Sequence, residues 1–425
     1  MRVPAHHAFP LGCIELFLSL VVAAAVSLRG AGRVIEIVVT QGEGRYRCPA
    51  WTTGRLWLLR VGYYQLTRPK VHAADWVWIV DHTVQLGQDK CLLILGVRLS
   101  GLPPDECCLR HETMEPLALI PVHPSNGAVV LDQLAATVAK TGVPREILSD
   151  HGTDLNAGIE QFCEQHPETT AVYDIKHKTA AVLKHALEQD EQWLAFTQQA
   201  NQTGRQVQQT RLAALMPPSQ KSKARYLNVH ELVRWGQAML ALVDQPAIQR
   251  EQGLAPEQVQ EKLGWLRAYR AALDEWAGLF EIVSQTEGLI RHHGLQAGTQ
   301  RKLEKQLRGL AQTPLTRQVR KELLDFVAQQ AAPVRPNERL LGSSEIIESV
   351  LGKQKRLEQS QAKSGFTGLL LGACALVADT TREVIQQALE TVSTQDVLDW
   401  CREMLGPSVQ SQRRAVFAAL GSRPE

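Results

Sequence analysis

Apolar residues recur at helical spacing through the start of the chain, and this pattern predicts an N-terminal helical region over 1–70. The first helix is expected over Leu11–Leu28 and a short second one over Ala31–Val39, because Gly30 and Gly32 interrupt the pattern between them. Thr52 is the expected N-cap of a third helix. The apolar positions of that helix are Leu56, Leu59, Val61 and Leu66.

Four cations accompany this helical region: Arg55, Arg60, Arg68 and Lys70. Three helices with nearby cations are typical of a helix-turn-helix unit that binds DNA. Any three-helix packing domain gives the same pattern, so the sequence leaves both interpretations open.

From residue 76 the pattern changes to short apolar runs rich in β-prone residues. These runs predict strands over Trp76–Val80, Cys91–Leu99 and Leu117–Val122. Gly87–Gln88–Asp89 is the expected turn between the first two strands, which therefore form a hairpin.

Helices and strands alternate after this hairpin and its neighbour. The predicted elements are an amphipathic helix over Asn126–Lys140 that ends at Gly142, a strand at Ile147–Leu148, a helix that includes Ile159–Phe162, a strand at Thr170–Tyr173 and a long helix that continues past Leu187. The order β-β-β-α-β-α-β-α predicts an α/β fold with a ribonuclease-H-like mixed sheet, whose first part is expected over 75–200.

The segment 201–335 has helical periodicity and no strand pattern, so it is expected to be a large all-α insertion that interrupts the sheet core. Residues 201–340 contain 20 Lys+Arg against 13 Asp+Glu, which makes this part basic. It is either a solvated bundle or a bundle that lies along a DNA backbone. Its four tryptophans are expected in the helix core, with base stacking as the alternative: Trp193, Trp235, Trp265 and Trp276.

The last part of the core is expected over 336–425. A helix begins in the run Ser343–Lys355 and is predicted to be broken at Gly365–Phe366, before an apolar helix over Leu369–Val377.

Composition narrows the class of protein. The chain has 425 residues, 44% of them hydrophobic, and a net charge of +2, which predicts two or three folded domains and excludes a polycation or a largely disordered chain. Its eight cysteines include no CxxC pair, so a reducing compartment is expected, without a disulfide framework or a zinc ribbon.

The strongly apolar run from Leu11 to Ser27 is short for a membrane span and contains Glu15. A buried helix is therefore favoured over a signal peptide or anchor, and no membrane partner is expected. The abrupt start of the chain also suggests that an upstream segment is absent.

Three acidic residues fall where a metal site is built. Asp81 and Asp150 each end a predicted strand, and Glu348 lies on the helix after the insertion. Ends of neighbouring strands project side chains into one crevice, and carboxylates are the ligands that Mg²⁺ prefers. Taken singly, each aspartate has the alternative role of a turn former or helix cap.

These residues and their surroundings resemble the DDE-type transposases of bacterial insertion sequences. The resemblance rests on WVWIVDHT around Asp81, EILSDHGTDL around Asp150, YDIKHK around Asp174 and SSEIIESVLGKQK around Glu348, and it covers about 75–400. Family members often carry an acidic or thiol residue three before a His, as Asp174 and His177 do here.

The family's final Glu is often followed by a Lys seven residues later, which Glu348 and Lys355 match. The Tyr and Arg that some relatives place upstream of that Glu are absent, since position 344 is Ser. Glu345 is an alternative third acid, because residues three apart share one helix face.

The resemblance implies that Asp81, Asp150 and Glu348 bind two Mg²⁺ or Mn²⁺ ions and catalyse DNA cleavage and strand transfer at the element ends. Lys353 and Lys355 either contact DNA phosphates or form a solvated basic face, and His177 either orients a backbone or phosphate group near the site or packs in the core. His82 and His151 flank the two aspartates and are candidates for supporting positions. The partners expected from the resemblance are double-stranded DNA, at the element ends and the target, and a second copy of the chain. The location it implies is the cytoplasm, at the nucleoid. Two alternatives remain: an inactive DNA-binding derivative of a transposase, and another ribonuclease-H-like nuclease.

Overall fold

The structure is a computed structural model that describes residues 3–4, 7–41, 47–86, 89–104, 106–122, 124–219, 229–310, 312–359, 367–377, 379, 381–407 and 409–421. The chain divides into two compact units. The first contains residues 1–172 and 344–425, and the second contains residues 173–343. The second unit therefore begins at Tyr173, and it includes two helices that precede the expected insertion over 201–335.

Five helices belong to the first stretch of the first unit: α1 (Leu11–Val22), α2 (Leu28–Gln41), α3 (Trp51–Thr67), α4 (Gly127–Thr141) and α5 (Thr153–Gln165). The predicted break at Gly30 and Gly32 is wrong, because both glycines lie inside α2. The Ser27 hydroxyl accepts a hydrogen bond of 3.1 Å from the Gly30 amide, and this bond satisfies an amide that the start of a helix leaves unpaired.

The predicted N-cap of α3 is also wrong. Thr52 lies in the first turn of α3, and the cap position is Ala50, which has no side-chain cap bond. The apolar spacing located this helix correctly, but a hydroxyl near a helix start does not by itself define the first residue.

Five strands form one mixed sheet in the order β3-β2-β1-β4-β5. The strands are β1 (Trp76–Leu86), β2 (Asp89–Arg98), β3 (Glu115–Val122), β4 (Glu146–Ser149) and β5 (Thr170–Tyr173). β2 pairs antiparallel with β1 and β3, whereas β1 pairs parallel with β4. All five strands were predicted from the sequence, and the bounds of β5 were predicted without error.

The predicted end of β1 at Asp81 is wrong. β1 continues to Leu86, because Asp81, His82 and Thr83 still pair with residues of β2. The predicted hairpin turn falls at Gly87 and Gln88, which lie outside the described residues, and Asp89 is the first residue of β2.

The second unit is helical over its described residues. Its helices are α6 (Ile175–Leu187), α7 (Glu191–Val207), α8 (Val229–Val243), α9 (Pro246–Glu251), α10 (Pro256–Leu263), α11 (Arg270–His293), α12 (Thr299–Gln306) and α13 (Pro314–Ala331). The predicted continuation of α6 past Leu187 is wrong, because the Asp190 carboxylate accepts hydrogen bonds from the Gln192 and Trp193 amides and starts a new helix there.

The tryptophans of this unit form a core, as predicted. Trp193 and Trp276 are 1% and 0% exposed, and their ring centroids are 4.9 Å apart in an edge-to-face arrangement. Trp235 and Trp265 are half-buried, and their rings lie 6.4 Å apart.

The first unit is completed by α14 (Glu345–Gln359), α15 (Leu371–Leu376), α16 (Arg382–Thr391), α17 (Thr394–Leu405) and α18 (Val409–Gly421). The predicted apolar helix over Leu369–Val377 begins as a 3₁₀ turn at Gly368–Leu370 and continues as α15. The predicted break at Gly365–Phe366 lies outside the described residues. None of the described helices combines the length and the apolar content that crossing a membrane requires.

The N-terminal helices pack onto the C-terminal ones through a close approach of α3 to α15. A Cβ placed on Gly62 of α3 would lie 2.0 Å from the Leu371 carbonyl oxygen, which is far inside any real contact distance. Gly62 is therefore required by the distance between the two backbones.

We expect Gly62→Ala to lower the free energy of unfolding of the first unit by about 2–3 kcal/mol, because a backbone atom must move to admit the methyl group. Gly12→Ala on α1 is the matched control, since its Cβ would meet no atom within 4 Å, and it should stabilise the helix by about 0.5–1 kcal/mol. Denaturant unfolding of both variants measures the two values. Equal effects at the two positions would contradict the proposed close approach.

Candidate functional site

The two predicted catalytic aspartates occupy matching positions on neighbouring parallel strands. The pairing of β1 with β4 runs from Val77 opposite Glu146 to Val80 opposite Ser149, so the next residues are Asp81 on β1 and Asp150 directly after β4. Paired residues in neighbouring strands have backbones about 5 Å apart and side chains on the same face of the sheet. The register therefore brings the backbones of Asp81 and Asp150 close together.

Side-chain alternation decides which face carries these carboxylates. Trp78, Val80 and Ile147 belong to the core that the sheet forms with α4 and α5. Asp81 follows Val80 and therefore projects from the opposite face. Asp150 is the residue after β4, and the alternation continued from Ile147 predicts the same face for its side chain.

Helices α14 and α15 cover this second face. Cys91 pairs with Thr83, two residues after Asp81, and therefore shares its face. Burial raises the pKa of the Cys91 thiol, and the charges of Cys374 on α15 and Glu358 on α14 raise it further. α14 also packs directly against β1. The helix that carries Glu345 and Glu348 thus lies over the face from which the two aspartates project.

Glu345 and Glu348 both lie in the first turn of α14 and are half-buried. A negative charge in the first turn also stabilises a helix through its dipole, which gives both residues a structural role. Farther along α14, Lys353 is half-buried and Lys355 is exposed. The Ser349 hydroxyl lies 3.2 Å from His111 Nε2, so the solvent side of this helix also contacts the segment before β3.

The backbone after Asp150 is strained. Asp150 Oδ1 accepts a hydrogen bond of 2.9 Å from the Gly152 amide, which closes a tight turn at the end of β4. His151, inside that turn, has a φ of +61°, a conformation that side-chain-bearing residues adopt at a cost. Such strain occurs preferentially at functional sites. The turn fixes the direction in which the Asp150 carboxylate leaves the strand.

The three acids do not converge on a single point. Within the described part of the first unit, no three Asp, Glu, His or Cys side chains bring ligand atoms within 4.8 Å of one another. Like-charged carboxylates repel one another, and bound cations remove that repulsion. The arrangement is therefore a pair of adjacent aspartates with a helical glutamate over the same face, at a wider spacing than one shared ion requires.

A polar cluster that the sequence did not reveal braces the other face at the same level. His82 Nε2 lies 3.2 Å from the Ser125 hydroxyl oxygen, and His82 Nδ1 lies 3.7 Å from Asp154 Oδ2. Lys90 donates a hydrogen bond of 2.9 Å to Asp154. These residues come from β1, β2, the start of α4 and the first turn of α5. Only the strand register brings them together, because they are far apart in sequence.

The surroundings of Asp154 strongly stabilise its negatively charged form. Burial raises its pKa, but hydrogen bonds from Ser125 and Lys90 and the charges of His82 and Lys90 outweigh burial and hold the pKa at about 2. Burial lowers the pKa of His82, and the Asp154 carboxylate only partly opposes that effect. The lowered pKa favours the neutral imidazole, which contacts Ser125 and Asp154, while the His82 backbone amide donates a hydrogen bond of 2.6 Å to Asp81 Oδ1.

His177 is held by the residue that also caps its helix. Asp174 is 1% exposed, and its Oδ1 accepts a hydrogen bond of 2.9 Å from the His177 amide and lies 3.0 Å from His177 Nδ1. This pair belongs to the second unit, whereas Asp81, Asp150 and Glu348 belong to the first. The spacing that suggested a motif is thus also explained by helix capping.

The second unit contains a cavity of about 370 Å³ between α6, α8 and α11. Its polar lining includes two cations, Lys176 and Arg234, and two carboxylates, Glu281 and Glu287. The Thr179 hydroxyl, almost fully buried, donates to Glu287 at the wall of this cavity.

No known family model matches this chain, and no curated protein matches it. Among solved structures, the chain is weakly similar to the Drosophila P element transposase strand transfer complex, with a TM-score of 0.33 and 11% sequence identity. The alignment covers 98% of this chain and 88% of that chain. A similarity at this TM-score carries no argument about fold or function, so the residues of the chain itself must support any functional conclusion.

We expect Asp154→Asn to lower the free energy of unfolding by about 1 kcal/mol at pH 7, because the charged acceptor of Lys90 is lost. Because the pKa of Asp154 is lower in the folded state than in the unfolded state, its carboxylate stabilises the fold fully above the unfolded pKa of about 3.9. That stabilisation is lost as the pH falls towards the folded pKa of about 2. Denaturant unfolding should therefore show a difference from wild type that shrinks between about pH 4 and pH 2. Asp132→Asn, on the exposed face of α4, is the control, and a difference independent of pH would exclude the charge as its cause.

His151→Gly should raise the free energy of unfolding by about 1 kcal/mol, because glycine adopts a positive φ without steric cost. Ala25, exposed and with a φ of +53°, provides a control in the same unit, and Ala25→Gly should give a similar gain. Thermal and denaturant unfolding measure both changes. If His151→Gly lowers the free energy of unfolding while Ala25→Gly does not, the His151 side chain stabilises the fold by more than the strained His151 backbone destabilises it.

Proposed function

We propose that this protein is a DDE-type transposase that cleaves DNA at the ends of an insertion sequence and transfers the freed strand to target DNA. In this proposal the first unit is a ribonuclease-H-like catalytic core, and Asp81, Asp150 and Glu348 are its metal-binding acids. Glu345 is the alternative to Glu348.

One observation carries the proposal: the parallel register that sets Asp81 beside Asp150 at the ends of their shared pairing. Two neighbouring, half-buried carboxylates offer the oxygen ligands that a divalent cation prefers. The sheet order, with three antiparallel strands followed by a parallel one, is the order expected for such a core.

The donor set fits divalent cations of the hard class. Its ligand atoms are carboxylate oxygens, which Mg²⁺ and Mn²⁺ prefer, and the half-buried aspartates leave room for water and a substrate phosphate. Two such ions, when bound, would neutralise the charge that develops on the attacking and leaving oxygens of a phosphodiester.

The protein residues would supply position and orientation. The strained turn at His151 fixes Asp150, and the Asp154 cluster holds His82 next to Asp81. Cleavage by water would leave a free 3′-hydroxyl, which would attack a target phosphodiester in a second in-line displacement. Lys353 and Lys355, five and seven residues after Glu348, are proposed to contact DNA phosphates, as is His177. Pairing of two element ends would require self-association of the chain.

A second candidate is a catalytically inactive DNA-binding protein derived from a transposase. The spacing of the acids favours it, since no three ligand groups in the described part of the first unit lie within 4.8 Å of one another. This candidate predicts DNA binding that is insensitive to Mg²⁺ and to replacement of the acids.

The test is cleavage of DNA that contains the inverted repeats flanking the gene, in Mg²⁺ and in Mn²⁺, with products resolved at nucleotide level. We expect Asp81→Asn and Asp150→Asn to reduce cleavage at least about 100-fold, because each removes an acid on which charge stabilisation depends. Parallel assays of Glu345→Gln and Glu348→Gln decide the third acid, since only the true ligand should give a comparable loss.

Asp132→Asn, which changes an exposed carboxylate on α4, is the control and should cleave as wild type does. Wild-type cleavage by Asp81→Asn would remove the site assignment. Cleavage without strand joining, on DNA that lacks terminal repeats, would identify a different ribonuclease-H-like nuclease.

A further inference from the structure

The positive charge of the second unit is concentrated in one segment. Residues 291–321 contain eight Lys+Arg and one acidic residue, Glu304, whereas the rest of 201–340 has 12 of each sign. The whole basic surplus of this part of the chain therefore lies in α12, in the first half of α13 and in the residues next to them.

The fold of α12 turns this composition into a surface. Leu303 and Leu307 are fully buried, while Arg301, Lys305 and Arg308 are exposed. Arg301 and Lys305 lie about one turn apart on the side of α12 away from Leu303. Arg308 follows in the turn after the helix, next to Leu307, which is the C-cap residue.

The first half of α13 adds to this surface. Arg317 and Lys321 lie one turn apart and are both exposed, while Val319 and Leu323 are buried against the rest of the unit. α12 and α13 pack against each other. We name Arg301, Lys305, Arg308, Arg317 and Lys321 together the α12–α13 basic surface.

These five cations are not neutralised by neighbouring acids. Within the part of the chain that the structure describes, none of them forms a salt bridge. Other cations of the same unit are paired: the half-buried Lys262 with Glu261, and the exposed Arg267 and Arg270 with Asp244. Exposed cations that no carboxylate pairs with create a local positive potential, which attracts a polyanion.

We infer that the α12–α13 basic surface binds the phosphate backbone of double-stranded DNA. The inference rests on the proposed function for its choice of DNA as the polyanion. A duplex carries one negative charge per about 1.7 Å of its axis, so a surface with five exposed cations can contact several phosphates at once. Contacts of this kind position the duplex and carry no sequence information.

The test uses the full-length chain and a fluorescein-labelled duplex of mixed sequence, with EDTA present so that binding is measured without cleavage. Fluorescence anisotropy at several salt concentrations gives both the Kd and its salt dependence. The variant is Arg301→Ala/Lys305→Ala/Arg308→Ala, in which alanine retains the helix. We expect a Kd at least about 10-fold weaker at low salt and a salt slope smaller by about 2–3, because each lost phosphate contact removes about 0.9.

The control variant is Lys184→Ala/Arg205→Ala/Arg250→Ala, which removes the same charge from exposed positions on α6, α7 and α9. It should bind within about 2-fold of wild type, since the effect of charges scattered over a surface is largely screened. Equal losses in the two variants would overturn the inference by showing that only net charge matters. An unchanged salt slope in the first variant would also overturn it.

Further measurements separate this inference from the proposed function. Far-ultraviolet circular dichroism melts should be the same for wild type and both variants, and Arg317→Ala/Lys321→Ala provides a second way to weaken the surface. Stronger competition by an RNA duplex than by a DNA duplex would overturn the choice of DNA. Loss of binding in the surface variant, with no cleavage by wild type, would leave the surface standing while the catalytic proposal fails. Cleavage by wild type together with normal binding by the surface variant would overturn the inference about the surface and leave the proposed catalytic function standing.

Discussion

The parallel pairing of β1 with β4 is the constraint on which the candidate site depends. Four paired positions, from Val77 opposite Glu146 to Val80 opposite Ser149, bring Asp81 and Asp150 into line. Because side chains alternate with a period of two, a shift of β4 by one residue would project one aspartate into the core that α4 and α5 cover. The register therefore decides both that the carboxylates are neighbours and that they face α14.

The packing around β4 explains why so short a strand keeps its register. The Arg145 amide donates to the Trp76 carbonyl at 2.8 Å, and its almost fully buried guanidinium donates to the Glu168 carbonyl at 3.1 Å and to the Thr170 hydroxyl. Ile147 is fully buried in the core with Trp78. The start of β4 is thus fixed to strands on both sides, and a slip would expose apolar surface and leave a buried cation without acceptors.

The sequence predicted the elements better than it predicted their ends or their contacts. All five strands follow from local apolar runs, but the length of β1 depends on pairing with β2, which a local pattern does not contain. The end of α6 depends on a cap at Asp190 inside a continuous helical pattern. The contacts of His82 with Ser125 and Asp154 were beyond prediction, because 43 and 72 residues separate these partners in sequence and only the sheet brings them together.

A site whose proposed ligands are carboxylates cannot by itself attract a polyanion. Asp81, Asp150, Glu345 and Glu348 each repel a phosphate, and the repulsion persists until cations neutralise them. Attraction of DNA must then come from positive charge elsewhere on the chain, and the chain has a net charge of only +2. Such a chain can bind a duplex only if its positive charge is segregated from its negative charge. The cations of α12 and α13 that form no salt bridge belong to the second unit, whereas the four acids belong to the first. If the proposed function is correct, this composition requires that the residues which bind DNA differ from those that act on it.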